Sequence, residues 1–198
     1  MKPKNISRSS RILTRGAPLT VLLVVASVVT SSCGSDPFAY KWTASKDTVL
    51  LYSLARPEFN LYSGFNFYQR TRVRIEAATS TGTWDMAVDT RNGQIVLLPP
   101  GALGVTSKAR ITVVSGKTFD EVTDAPADTM VYTANDPVPV SKGNIYVVRT
   151  GQSIGAYGTP CVYYAKLEPV DIDATDGTLS FAFDSSPVCN DRRLIPPN

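Results

Sequence analysis

Histidine is absent from all 198 residues. Its absence removes the commonest general base and the commonest metal ligand at neutral pH. Long apolar runs are also missing. The longest stretches from Leu19 to Val29, eleven residues interrupted by Thr20 and Ser27, where a bilayer-spanning helix needs about 20. No helical pattern of twelve or more residues survives beyond it. Pro57, Pro99-Pro100, Pro126, Pro137, Pro139 and Pro160 cut the intervals where one could fit. There is no internal repeat and no long low-complexity linker, which leaves room for one domain.

What is present begins with charge. Lys2, Lys4, Arg8, Arg11 and Arg15 precede the apolar run with no acidic residue among them. Small residues and a cysteine follow it. That order is the pattern of a secretory signal. Thr30-Ser31-Ser32-Cys33 resembles the lipobox of bacterial lipoproteins. Thr30 departs from that motif, which usually has Leu or Val there. The resemblance implies cleavage before Cys33, a diacylglycerol on its thiol and an acylated amino terminus. Residues 1–32 are then signal peptide, 33–37 a lipidated cysteine with a short tether, and 38–198 a globular domain. Gly34 follows the cysteine, where Asp would resemble an inner-membrane retention signal, so the outer membrane is favoured. Removing the five basic residues from a net charge of +3 leaves −2 on the mature side chains. Nothing in that balance points to nucleic acid.

The remaining chain reads as short strands rich in Val, Ile, Tyr, Phe and Thr, broken at roughly 8–12-residue intervals. The expected strands are 38–43, 48–54, 65–68, 72–77, 85–89, 94–98, 110–114, 130–133, 145–150, 162–172 and 178–183. The fold class is therefore all-β, a single antiparallel sandwich or partly open barrel, with 115–144 mostly loop. Asn92-Gly93 is a two-residue type I′ hairpin signal. It pairs Arg91 with Gln94 and Val88 with Leu97, and puts Trp84, Met86, Val88, Ile95 and Leu97 on one core face. A second turn, Asp173 to Gly177, is centred on Thr175, midway between Cys161 and Cys189. A hairpin folding there sets Leu167 against Phe183 and Lys166 against Asp184. It also brings the two cysteines together at its open end, and a disulfide is expected in an oxidising compartment. Pro169 cannot donate to a ladder, so a free side or a bulge is expected there.

Three patterns touch on chemistry. Gly151-Gln152-Ser153-Ile154-Gly155 matches the G-x-S-x-G nucleophile elbow. The elbow needs a following helix and a histidine, and Gly158 and Pro160 stand where the helix would be. A Ser153–Lys mechanism with Lys142 or Lys166 has no supporting spacing. Asp171, Asp173, Asp176 and Gly177 resemble a calcium loop, but Thr175 and Ala182 occupy ligand places; an Asx turn accounts for them as well. Tyr40, Trp42, Tyr52, Tyr62, Tyr68, Tyr157, Tyr163 and Tyr164 supply amphipathic aromatics for a binding face, or for half-buried strand positions.

Ile145-Tyr146-Val147-Val148-Arg149-Thr150, Tyr164-Ala165-Lys166-Leu167 and Gly177 to Phe183 resemble the HmuY-like family of bacterial surface lipoproteins. Trp84-Asp85-Met86-Ala87 upstream resembles its Trp-Asp-hydrophobe-Ala strand. The insertion Gly151–Cys161 departs from it. The resemblance implies haem as a ligand, with Met86 and Met130 as the formal axial candidates in a chain lacking histidine. The expectation from the sequence is a non-enzymatic, membrane-anchored envelope domain with no resident cofactor. It binds or scaffolds a protein or small-molecule partner, and haem carriage is the alternative.

Overall fold

Asn92 and Gly93 both take positive φ, 51° and 74°, the backbone that closes a type I′ turn with the right twist. Around them, in a computed structural model that describes residues 40–197, the strands Met86–Arg91 (β4) and Gln94–Leu98 (β5) pair with Arg91 opposite Gln94 and Val88 opposite Leu97. The other strands are β1 Asp47–Tyr52, β2 Gly64–Asn66, β3 Thr71–Val73, β6 Arg110–Val114 and β7 Val138–Pro139. They continue with β8 Ile145–Arg149, β9 Ser153–Ile154, β10 Pro160–Cys161, β11 Tyr164–Asp173 and β12 Thr178–Ser185. Two five-stranded antiparallel sheets result, ordered β1-β12-β11-β8-β6 and β3-β2-β4-β5-β7, with β9 and β10 forming a separate ribbon. The sheets pack face to face and do not close into a barrel, so the all-β sandwich expected from the sequence is the fold.

Side chains alternate across each strand, so one face of each sheet supplies the core. Phe65, Phe67, Met86, Val88, Ile95 and Leu97 meet Ile111, Tyr146, Val148, Leu167, Phe181 and Phe183 between the sheets. Tyr146 donates its hydroxyl to the Pro139 carbonyl at 2.9 Å and accepts from Ser141 N at 2.8 Å, which satisfies its one polar atom there. Trp84 departs from its expected face. It packs with Ala87, Val96 and Leu98 on the outer side of the second sheet. The strand begins only at Met86, so the alternation does not extend back through Asp85 to Trp84.

Next to its turn the long hairpin is one residue off the register expected from a Thr175 centre, with Asp173 facing Thr178, and beyond the bulge it takes the expected register. Leu167 faces Phe183 and Lys166 faces Asp184. The pairing slips by one residue between Pro169 and Asp171, a bulge that leaves Val170 unpaired and half exposed. Proline offers no N–H to the ladder, which is the physical cause. Beyond the strand ends, Cys161 and Cys189 are bonded, their Cα atoms 5.2 Å apart. The chain from 40 to 43 is not strand, and 129–131 is a turn of 3-10 helix rather than the expected strand. Strands β7, β9 and β10 are too short for alternation to reveal. The signal segment, Cys33 and the tether lie outside the described residues.

Asp85 ties the two sheets together. Its carboxylate accepts Phe67 N at 2.8 Å and Gly151 N at 2.7 Å, from segments that flank opposite sheets. Burial pushes its pKa up to about 6, against the pull of those two N–H donors. The folded chain therefore keeps a proton that the unfolded chain sheds near pH 4, and stability from this group falls as pH rises from about 4 to about 6. Asp85→Asn can satisfy only one of the two donors and is expected to cost about 1–3 kcal/mol at low pH. The gap to the parent should narrow by roughly 2–3 kcal/mol between pH 4 and pH 7, each pKa unit being worth about 1.4 kcal/mol. Urea unfolding of both proteins across that range measures it. A gap independent of pH would show that Asp85 is ionised throughout.

Candidate functional site

The outer face of the first sheet carries an unusual row. Arg110 on β6 lies directly opposite Arg149 on β8, and Arg149 lies opposite Tyr164 on β11. Like charges in facing cross-strand positions destabilise a sheet. Both arginines are partly buried, and among the described residues neither has a carboxylate within ion-pair distance. Arg149 Nη1 donates to the Lys108 carbonyl at 2.7 Å, which holds the guanidinium along the strand ends without neutralising it.

The next row on this face is covered. Phe119, Val122, Ala125, Tyr132 and Leu194 pack onto Ile145 and Val147. Lys166 fastens that cover, because its buried ammonium donates to the carbonyls of Phe119 (2.7 Å) and Val122 (2.9 Å). Burial lowers the Lys166 pKa, and the nearby carboxylates of Asp120 and Asp184 oppose the shift. The cover stops short of the arginine row. Between them runs a groove of about 530 Å³ lined by Lys108, Arg110, Met130, Tyr132, Arg149, Gln152 and Tyr164, with the Pro126–Ala127 turn and Thr129 on its far wall. No Asp or Glu lines it.

The aromatic walls are fixed differently. Tyr132 is buried and donates its hydroxyl to Pro126 O at 3.2 Å. Burial raises its pKa, so it stands as a neutral phenol. Tyr164 is half-buried beside Arg149. Met130 stands at the rim with 89% of its surface exposed, its backbone N–H held by the Asp128 carboxylate at 2.8 Å. Three cations, two phenol rings, an amide and a thioether can together hold an anionic ligand that has an apolar or planar body.

The other candidates resolve otherwise. Met86 is fully buried between the sheets, out of reach of any ligand, and is withdrawn as a haem-ligating residue; Met130 alone reaches a groove. Ser153 lies on β9 and is followed by a turn and β10, not by the helix an elbow needs. Lys166 is engaged with two carbonyls, and Lys142 faces Asp171 at 3.6 Å. In the aspartate turn, Asp173 Oδ1 accepts Thr175 N and Asp176 N, both at 2.8 Å, which is an Asx turn. Among the described residues no three His, Cys, Asp or Glu side chains gather as a metal site.

A second pocket of about 310 Å³ lies between the turn 174–177 and residues 53–58. Its one cation, Arg56, already donates to both oxygens of Glu58 and to Asp176 O. Its charge is therefore neutralised, unlike that of the arginine row. Of the groove residues, the sequence singled out Met130, Tyr164 and the Arg149 strand. It missed Lys108, Arg110, Tyr132 and Gln152 as a group. No protein-family model matches the chain, and no curated protein matches it.

Proposed function

We propose that this is an exported domain, held at the cell envelope by a lipid on Cys33, that binds an anionic ligand in the groove of Lys108, Arg110 and Arg149. The unneutralised Arg110–Arg149 pair carries this reading. Like charges in facing cross-strand positions disfavour the sheet, and an anion bound beside them relieves that cost. Tyr132, Tyr164 and Met130 give the same ligand an apolar surface to lie on. The signal-like segment and Cys33 supply the compartment. The reading is therefore of a binder.

The test uses 8-anilinonaphthalene-1-sulfonate, an anionic aromatic dye. Arg110→Gln is expected to weaken its binding about ten- to a hundredfold, since a hydrogen bond to a charged group contributes roughly 1.5–3 kcal/mol. Arg56→Gln, in the neutralised pocket, should leave binding unchanged. If Arg110→Gln binds as the parent does, the groove is not the site. For the anchor, Cys33→Ser should move the protein from the membrane to the soluble fraction and abolish the added acyl mass. Unchanged fractionation and mass would remove the lipoprotein reading.

Haem is a second reading, favoured by the one exposed thioether that stands in the cationic groove. Met130 would offer its thioether to the iron, and the arginine row would hold the carboxylate side chains. Titration with haemin decides it: a Soret shift lost in Met130→Leu supports haem, and a spectrum of free haemin alone overturns it.

A further inference from the structure

Between Arg149 and Lys166 the chain runs sixteen residues without a charge. Most of that stretch is the β9–β10 hairpin, and its tip is apolar and bare. Ile154 is 84% exposed and Tyr157 is fully exposed. Isolated exposed apolar residues are ordinary; two of them on a protruding, uncharged, stiffened turn are not. The stiffness has named sources. Gly155 N donates to Thr159 O at 2.8 Å, and Asn190 braces the β10 side through Pro160 O and Val162 N, each at 3.0 Å. The Cys161–Cys189 bridge packs onto Gly155 so closely that a Cβ there would overlap the Cys161 sulfur. Tyr157 holds a left-handed φ of 57°, a conformation that costs free energy in a non-glycine residue. It leaves the ring fully exposed among the described residues.

The hairpin also stands at a particular end of the sandwich. The described chain enters the fold where Ser45 N donates to Asp184 Oδ2 at 3.2 Å and Arg70 bridges Asp184 and the Ser45 carbonyl. Asp184 is next to Ser185, the last paired residue of β12, opposite Ala165. The disulfide and the β9–β10 hairpin lie just beyond that end. Tyr68, two residues before Arg70, stacks on Tyr163 with ring centroids 4.2 Å apart. The turns at Asn92-Gly93 and Thr175 lie at the opposite end of their strands. Cys33 precedes Ser45 by twelve residues, a leash of at most about 40 Å at roughly 3.5 Å per residue.

We propose that the β9–β10 hairpin is the surface by which the anchored domain rests on its own bilayer, with Ile154 and Tyr157 entering the headgroup layer. The inference rests on the lipid-anchor reading of Cys33. Tyrosine at the polar–apolar boundary, an aliphatic neighbour and no charge to desolvate are what such an interface takes. A rigid tip presents them without an ordering cost on contact.

The full lipidated chain, purified from membranes, is placed in phosphatidylethanolamine–phosphatidylglycerol vesicles with and without brominated acyl chains. Tyr157→Trp adds one indole at the tip to the background of Trp42 and Trp84. The expected result is a blue shift of the added emission on vesicle binding and its quenching by brominated lipid, beyond the parent's. Ile154→Trp gives the same readout should Tyr157→Trp fail to fold. If the chain floats with the vesicles but the added indole is neither shifted nor quenched, the anchor stands and the hairpin proposal is overturned; the tip then faces solvent or a protein. If the chain does not float with the vesicles, the anchor reading fails and the proposal falls with it.

Discussion

Phe65→Ala is expected to destabilise the domain by about 3–5 kcal/mol, the range for deleting a buried phenyl ring. Phe65 is fully buried at the centre of an aromatic cluster drawn from both sheets. Its ring meets Phe67, Phe181 and Phe183 edge-to-face, with centroids 4.9, 5.7 and 4.8 Å away. Edge-to-face pairs contribute roughly 0.5–1.5 kcal/mol beyond area burial, so the truncation removes contact, geometry and volume together. β2 has only three residues, too few to collapse into the cavity without breaking its pairing to β3 and β4. Phe59→Ala is the control. Phe59 is 76% exposed and should change stability by no more than about 0.5 kcal/mol. Urea unfolding of the two variants measures both. A Phe65 effect below about 1 kcal/mol would mean that the cluster is not the centre of the core.

Replacing Cys161 and Cys189 together by alanine is expected to cost about 2–5 kcal/mol, and the chain-entropy model gives about 3.6 kcal/mol for the loop they close. The bridge clasps the open end of the β11–β12 hairpin, where β-pairing has ended and the backbone bonds Ser186 N to Tyr164 O and Asn190 N to Val162 O continue it. Its loss also frees β9–β10, because the Cys161 sulfur packs against Gly155. Unfolding of the parent with and without dithiothreitol should reproduce the same loss, while the affinity of the arginine groove for the dye stays unchanged. Equal midpoints with and without reductant, in protein whose thiols are shown to be reduced, would contradict this account.

Sequence alone determined the parts of this protein that depend on local chemistry. Asn92-Gly93 sets a hairpin because few other dipeptides accept positive φ twice. The turn cluster 173–177 places the long hairpin, though its ladder starts one residue off a Thr175 centre, and the one-residue bulge after Pro169 restores the register in which Leu167–Phe183, Lys166–Asp184 and the cysteine pair meet. Pro169 forces the bulge because it has no N–H to give. Each of these is a pairing across one turn, where sequence distance and spatial distance are linked.

Tertiary structure decided what depends on two segments distant in sequence. Lys166 reads as an outward-facing residue, yet it is 2% exposed. Only the fold shows that residues 119–132 close over it and offer two carbonyls. Trp84 shares a period with Met86 but packs on the other face, because the strand starts after it. The arginine row joins residues 110, 149 and 164 through pairings among β6, β8 and β11, and no single stretch of sequence shows those pairings. Alternation told which residues share a face within one strand. It could not tell which strands lie side by side, or which loop covers that face and where the cover ends. That choice is made by burial of the Phe119–Leu194 cluster over Ile145 and Val147, and it leaves the two guanidiniums in the open groove.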